Sequence, residues 1–174
     1  YGGGISRIEE IRLILRSGAE KVSINFSAIK TPNFIYEAAN IFGSSSIVAS
    51  LDIKKPIFSN EYKVYAFNGT KNTGVNPLDY AKSMQDLGAG ELFINFISLD
   101  GTRSGFDINY IKTLANSVKI PIIVSGGASS VKNILEAIKY ANAAAAGSLF
   151  VFHQNRTSVL INYPTQEEIY QFDN

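Results

Sequence analysis

The chain has 174 residues, is 45% hydrophobic and 18% charged, and carries a formal net charge of +1. That suits one globular domain with a sizeable core, and gives no support for nucleic acid or an anionic membrane surface as a partner. With no cysteine and a single histidine, His153, disulfides, thiolate metal sites and His-rich zinc centres are excluded. No apolar run approaches the length of a membrane span and no signal peptide is evident, so the cytoplasm is the expected compartment.

The chain opens on Tyr1-Gly-Gly-Gly-Ile5 without a methionine, as though at the end of a strand, and an N-terminal portion is expected to be absent. Gly2 to Gly4 read as a strand-end turn. Ser6 with Glu9 three residues later reads as a capping box. The helix behind it is predicted to run to about residue 17, with Ile8, Ile11, Ile14 and Leu15 on its buried stripe. Residues 21–25 form a short strand ending at Asn25. Pro32 opens a second helix at its first position, with Ile35, Ala38, Ala39 and Phe42 on one face and Gly43 as its stop.

Residues 46–52 are the next strand. The segment 54–72 interrupts the rhythm: 62–67 is strand-like and Asn68-Gly69 is a hairpin signal. Pro77 opens a helix stopped at Gly88, and residues 91–95 return to a strand. The Asp100-Gly101-Thr102 loop leads to a helix over about 107–117. The apolar run Ile122-Ile123-Val124 then enters Ser125-Gly126-Gly127 and a helix over 129–140. A last strand, 141–146, closes at Gly147-Ser148.

Strand, loop and helix repeat throughout, which implies parallel strands with helical crossovers, either doubly wound or part of a (β/α) barrel. The barrel is favoured because Asn25, Asp52, Asn95, Ser125 and Gly147 finish the strands, and barrel enzymes place their chemistry at that end. A complete barrel needs about 250 residues; five strands and the tail of a sixth are readable here. Three glycine-containing clusters have the makings of phosphate grips: Gly2 to Gly4 with Asn25, Asp100-Gly101-Thr102, and Ser125 to Gly127 with Gly147-Ser148. The alternative is that each is only a tight turn. Asp52 ends a strand of buried character, where a carboxylate is costly unless used or paired. It reads as a catalytic acid/base, with a helix cap or an ion pair to Lys54 as the alternative. Lys21 and Glu91 start strands and read as solvated charges. His153 reads as structural, and Tyr62, Tyr65 and Phe67 as loop packing rather than a stacking platform.

Taken in order, Gly2 to Ile5, Lys21 to Asn25, Leu51 to Lys54, Thr70 to Gly74, Gly88 to Glu91, Asp100 to Thr102 and Ser125 to Ala128 resemble HisF, the cyclase subunit of imidazole glycerol phosphate synthase. The resemblance covers nearly the whole chain. It implies an α/β fold, a (β/α)8 TIM barrel, with 1–174 a single domain running from the end of strand 3 through strand 8. It also implies a lyase of histidine biosynthesis that needs no cofactor or metal. The enzyme adds ammonia from a HisH-like glutaminase subunit to a bisphosphate ribulosyl substrate, giving imidazole glycerol phosphate and an aminoimidazole carboxamide ribotide. Asp52 matches one of two acid/base aspartates; the other belongs to the first strand, so the chain alone is expected to be inactive. Gly4 and Asn25 match binders of one phosphate, and Asp100, Gly101, Gly127, Gly147 and Ser148 the region of the other. Lys21 and Glu91 match the ammonia gate, overriding the plain reading, and Glu20 would lie near the glutaminase. An incomplete barrel would also leave a parallel edge unpaired.

Departures are local. Phe26 stands where the family usually has a hydroxyl, Asn95-Phe96 where it has Thr-Ser, and Ser98-Leu99 where it has Asp-Arg. Asn95 and the tail, Phe150 to Phe152 and Arg156 to Pro164, resemble HisF-like paralogues of acetamidino sugar modification. That likeness implies surface polysaccharide biosynthesis and a sugar amidotransferase as a further partner. A non-catalytic ammonia conduit and, last, a sugar-phosphate isomerase of the same barrel are the competing expectations.

Overall fold

In the computed structural model, residues 1–153, 158–159 and 163–167 are described. Seven helices are seen among them: α1 (Ile8–Arg16), α2 (Phe26–Lys30), α3 (Asn33–Phe42), α4 (Pro77–Asp86), α5 (Ile108–Ser117), α6 (Val131–Ile138) and α7 (Ser148–Val151). The strands are β1 (Val22–Ile24), β2 (Ile47–Lys54), β3 (Lys63–Ala66), β4 (Lys71–Asn72), β5 (Glu91–Phe96), β6 (Ile122–Ser125), β7 (Ala143–Ala145), β8 (Phe152–His153) and β9 (Ser158–Val159). Strands β1, β2, β5, β6 and β7 run parallel in that spatial order, and a parallel bridge from Gly2 to Ser23 extends the sheet beyond β1. The fold is therefore α/β, with a sheet that is parallel except at the β3–β4 hairpin.

The hairpin pairs antiparallel with the C-terminal end of β2, Asp52 opposite Tyr65, while β1 pairs with residues 47–49 at the other end. Both use the edge of β2 that β5 does not occupy. Phe67, Asn68 and Gly69 all take positive φ at the turn, the geometry for which an Asn-Gly pair is suited.

Strand alternation separates two faces. Ile47, Ala49, Leu51 and Ile53 of β2, Leu92, Ile94 and Phe96 of β5, and Ile122 and Val124 of β6 are buried. They join Ile11, Ile35, Met84, Ile111 and Leu114 from the helices in one core, each such side chain contributing roughly 1.5–3 kcal/mol on burial. The opposite face carries Ser23, then Ser50 and Asp52, then Phe93 and Asn95, then Ser125, all only partly buried apart from Ser50. The functional candidates lie on that second face because the residues between them are committed to the core.

Several local expectations are corrected. The residue that closes the first helix is Glu10, not Glu9: its carboxylate accepts from the backbone N–H of Ser6 (2.8 Å) and Arg7 (3.1 Å). The helix starts one residue later than Ser6 implies, with Arg7 at the N-cap. Pro32 occupies the N-cap of α3 rather than its first turn. The last parallel strand covers only Ala143–Ala145, and the preceding helix, expected over 129–140, only Val131–Ile138 with Ser130 as its cap. Helices α2 and α7 and the pair β8–β9 had no counterpart in the pattern. Residues 154–157, 160–162 and 168–174, which include Arg156, Thr157 and Leu160 to Asn162 of the distinctive tail, and the side chain of His153 lie outside what is described. Among the described residues no helix is long and apolar enough to cross a membrane.

Candidate active site

Asp52 lies on β2 at the second face, directly opposite Asn95 on β5. Its Oδ1 accepts a hydrogen bond from Asn95 Nδ2 at 3.1 Å, and its Oδ2 accepts one from Asn25 Nδ2 at 3.0 Å. Neither of the bland readings holds, since Asp52 caps no helix and forms no ion pair with Lys54. That lysine lies over the Tyr65 ring, 5.8 Å from its centroid. Two neutral amides thus fix the plane of the carboxylate without neutralising it, and each oxygen keeps a lone pair for a further donor. Such a group can exchange protons with a bound substrate.

Asp52 and Asn25 line a cavity of about 730 Å³, together with Gly2 to Gly4, Ser23, Ser50 and Phe93. The β3–β4 turn adds Phe67 and Asn68. The sequence pattern places these two on a hairpin but gives no sign that the turn folds over the strand ends. Phe26 and Phe67 meet at 4.4 Å between ring centroids, tilted by 45°, so the two aromatics form part of the wall. Tyr62 and Tyr65, by contrast, are buried, in keeping with packing. Tyr62 contacts Phe96 and Tyr110 and donates to Asp107 at 3.0 Å.

Gly3 and Gly4 have φ of 114° and 70°, conformations that side chains rarely adopt. The other glycine clusters lie toward the far side of the sheet. Gly105 N–H donates to Gly127 O at 2.7 Å, joining the loop after β5 to the loop after β6. Arg103 Nη1 donates to Phe152 O at 3.2 Å, linking the loop that holds Asp100 and Gly101 to the chain just beyond Gly147 and Ser148. Those five expected phosphate-region residues thus belong to three loops that are physically connected, while Gly4 and Asn25 belong to the cavity on the other side.

At the opposite end of the strands, Lys21 Nζ and Glu91 Oε2 form an ion pair at 2.8 Å. Glu91 is half-buried where β5 begins, and Lys21 just precedes β1. The spacing of 70 residues hid this pair from any local pattern. Glu20, next to it, is exposed. Among the described residues no group of three His, Asp or Glu side chains is arranged to hold a metal ion.

The family described as histidine biosynthesis protein matches residues 1–157. The HisF subunit of imidazole glycerol phosphate synthase from Methanococcus vannielii is 38% identical over 91% of this chain and 65% of its own length. The corresponding subunit from Methanocaldococcus jannaschii is also 38% identical, over 91% of the chain and 65% of the relative. That from Sulfurisphaera tokodaii is 44% identical over 86% of the chain and 59% of the relative. The chain thus spans less than two thirds of the length of these relatives. With nine tenths of its residues inside the match, it belongs to the histidine biosynthesis protein family.

Proposed function

We propose that the chain is the greater part of a HisF-like synthase subunit, a (β/α)8 barrel in its complete form, which uses ammonia to build a nitrogen heterocycle on a phosphorylated ribulosyl-type substrate. The observation that carries this is Asp52, held at both oxygens by Asn25 and Asn95 in the wall of a cavity at the C-terminal ends of parallel strands. In barrels that end is the catalytic one. Ammonia adds to the substrate, and Asp52 takes up and returns protons as the ring closes. Gly4 and Asn25 flank one end of the substrate; Asp100, Gly101, Gly127, Gly147 and Ser148 flank the other.

The ion pair Lys21–Glu91 sits at the other end of the same strands, where ammonia from a HisH-like glutaminase would enter, with Glu20 at the docking face. The active unit is this complex, and the compartment is the cytoplasm. Ammonium salt with the bisphosphate intermediate of histidine synthesis, followed by loss of substrate absorbance in the complete barrel, tests the reading. Turnover that falls about 10²–10⁴-fold in Asp52→Asn supports it.

A finer reading is favoured by Asn95, which departs from the cyclase pattern inside the site itself. On that reading the subunit serves acetamidino modification of a surface sugar, supplying ammonia to a sugar amidotransferase. A folded protein that binds the glutaminase yet never consumes the bisphosphate would select it, including its non-catalytic form, a conduit.

A further inference from the structure

The loop that leaves β2 displays apolar side chains rather than burying them. Ser59 N–H donates to Pro56 O at 3.0 Å, which closes a four-residue turn with Ile57 and Phe58 at its centre. Ile57 is 81% exposed and Phe58 fully so. Phe58 also has a φ of 69°; a type II turn needs a positive φ at that position, and Gly or Asn usually supplies it. Phenylalanine in that place combines backbone strain with bare apolar surface, and full exposure leaves no packing within the chain to offset either. The tip is held outward all the same. Glu61 N–H donates to Ser59 Oγ at 3.1 Å, and Lys63 pairs with Glu61 at 3.0 Å just beyond it.

A cleft of about 570 Å³ opens beside this tip. Lys55, Asn60 and Glu61, which flank the turn in sequence, form one wall, and Leu78 of α4 with Tyr110 and Thr113 of α5 form the other. Its floor is fixed before anything binds. Tyr62 OH donates to Asp107 Oδ2 at 3.0 Å, Asp107 Oδ1 accepts from Tyr110 N–H at 3.1 Å, and the Tyr62 and Tyr110 rings lie 4.4 Å apart. Lys55 Nζ sits 4.6 Å from the centroid of the Tyr62 ring and 3.4 Å from Asp107 Oδ2. The rim thus sets Lys55 and Lys63 against Glu61 and Asp107, a balance of charge that does not repel a like surface. Helices α4 and α5 precede and follow β5, the middle strand of the parallel five, so this face owes nothing to the edge strands β1 and β7.

We propose that this face binds a second copy of the chain about a two-fold axis, with the Ile57–Phe58 tip of each protomer seated in the cleft of the other. A tip and a cleft that adjoin on one surface, with balanced charge around them, are self-complementary under such an axis, which is the requirement for an isologous interface. Burial of Phe58 against Leu78 and Tyr110 of the partner subunit offsets the exposure and strain that the single chain bears. Because the walls of the cleft are already braced, little ordering is lost when the tip enters. The loop leaves the C-terminal end of β2, so the dimer keeps the Lys21–Glu91 end of the strands clear. The proposal does not depend on which reaction the main cavity performs.

Sedimentation equilibrium of the complete barrel across the micromolar range tests it, and a monomer–dimer equilibrium is expected. Phe58→Gly removes the tip and suits the turn, so the fold holds. Thr113→Arg fills the cleft from an exposed helix position at which arginine is a good helix former. Either change disables both tip–cleft contacts of the dimer, and the dissociation constant should rise at least about a hundredfold. An equimolar mixture of the two variants regains one contact, the intact tip of Thr113→Arg in the open cleft of Phe58→Gly. Association should therefore be stronger in the mixture than in either variant alone. A barrel that stays monomeric overturns the proposal and leaves the tip to a different protein. A dimer that either variant leaves intact overturns it by placing the interface elsewhere. A mixture that associates no better than its components overturns the seating of tip in cleft.

Discussion

Asn95 and Asp52 face each other across neighbouring parallel strands, with the amide of one donating to the carboxylate of the other at 3.1 Å. Asn25 holds the second oxygen from the opposite side at 3.0 Å. Replacing Asn95 by alanine frees one oxygen and lets the carboxylate rotate about its last torsion. Because misplacing a catalytic group by about 1 Å can cost about 10²-fold, ammonia-dependent turnover of the complete barrel should fall between tenfold and a hundredfold in Asn95→Ala. The melting temperature should change little, since the half-buried carboxylate can take water as a replacement donor. Turnover unchanged within twofold would mean that Asn25 alone orients Asp52.

The sequence was most readable where one residue decides the local structure. Pro77 marked the start of α4, where the structure adds an Asn76 side chain accepting from Leu78 N–H at 2.8 Å, and Asn68-Gly69 made the hairpin turn. Strand identity was also legible, because Leu92, Ile94 and Phe96 or Ile122 and Val124 alternate with residues of the other face. Illegible was everything that depends on the third dimension. The Asn25–Asp52–Asn95 contacts join residues 27 and 43 positions apart, and the Phe26–Phe67 wall needs the hairpin to fold back over β1. Helix α2 was missed because its five residues lack a side-chain cap, so tertiary packing of Ala28 stands in for any local signal. The capping error had a simpler origin: Glu9 and Glu10 are adjacent, and only the path of the chain into α1 decides which one turns back.

Gly127 should tolerate no side chain. Its φ is 101°, and a Cβ there would lie 2.6 Å from Gly105 O and 3.0 Å from Leu99 Cβ. Backbone in such a conformation costs a non-glycine residue about 1–3 kcal/mol before any clash is counted. Gly127→Ala should therefore lower the unfolding free energy by at least about 2 kcal/mol in a urea titration and separate the loops after β5 and β6. Gly101, with φ of 71° and open space around it, is the control. Gly101→Ala should cost only about 1–2 kcal/mol, the penalty of the left-handed conformation alone.

Tyr80 is buried and its hydroxyl has no hydrogen-bond partner among the described residues. An unsatisfied buried hydroxyl costs about 1–3 kcal/mol, so Tyr80→Phe should stabilise the protein by roughly 1 kcal/mol, read as a higher urea midpoint with an unchanged slope. Burial also raises the phenol of Tyr80 far above its ordinary value. That of Tyr110 rises to about 12, first through burial and then through the nearby charge of Asp107. A raised folded-state value means that the unfolded chain releases its proton first. This contribution is complete below the ordinary value of 10.0 and is lost as pH climbs from there toward 12. Alkaline unfolding of Tyr80→Phe should begin at higher pH than that of the unmodified protein.

Glu10 carries the opposite sign. Its carboxyl is lowered from 4.5, first by the Ser6 N–H and then by the Arg7 side chain. Whatever it adds to α1 is complete above that pH and fades as pH drops through the lower folded value. Hydrogen exchange at the Ser6 and Arg7 amides should therefore lose protection in acid. The Glu10→Gln protein should show weaker protection at neutral pH and no such acid step. Identical protection in both proteins across the range would show that the Glu10 carboxylate does not hold those amides.

The Lys21–Glu91 pair separates stability from delivery of ammonia. Lys21 is 47% exposed and Glu91 14%, so solvent screens the attraction, and exposed pairs are worth about 0.2–1 kcal/mol. Lys21→Met should thus shift stability by less than about 1 kcal/mol. If the pair guards the ammonia entrance, as the synthase reading has it, the same substitution should lower glutamine-dependent turnover of the complex with the glutaminase severalfold. Turnover with added ammonium salt, which reaches the cavity from the other side, should hold. A double-mutant cycle with Glu91→Gln completes the test. Coupling in the glutamine-dependent rate that is absent from the ammonium-dependent rate assigns the pair to transfer, whereas equal coupling in both would make it a brace between the starts of β1 and β5.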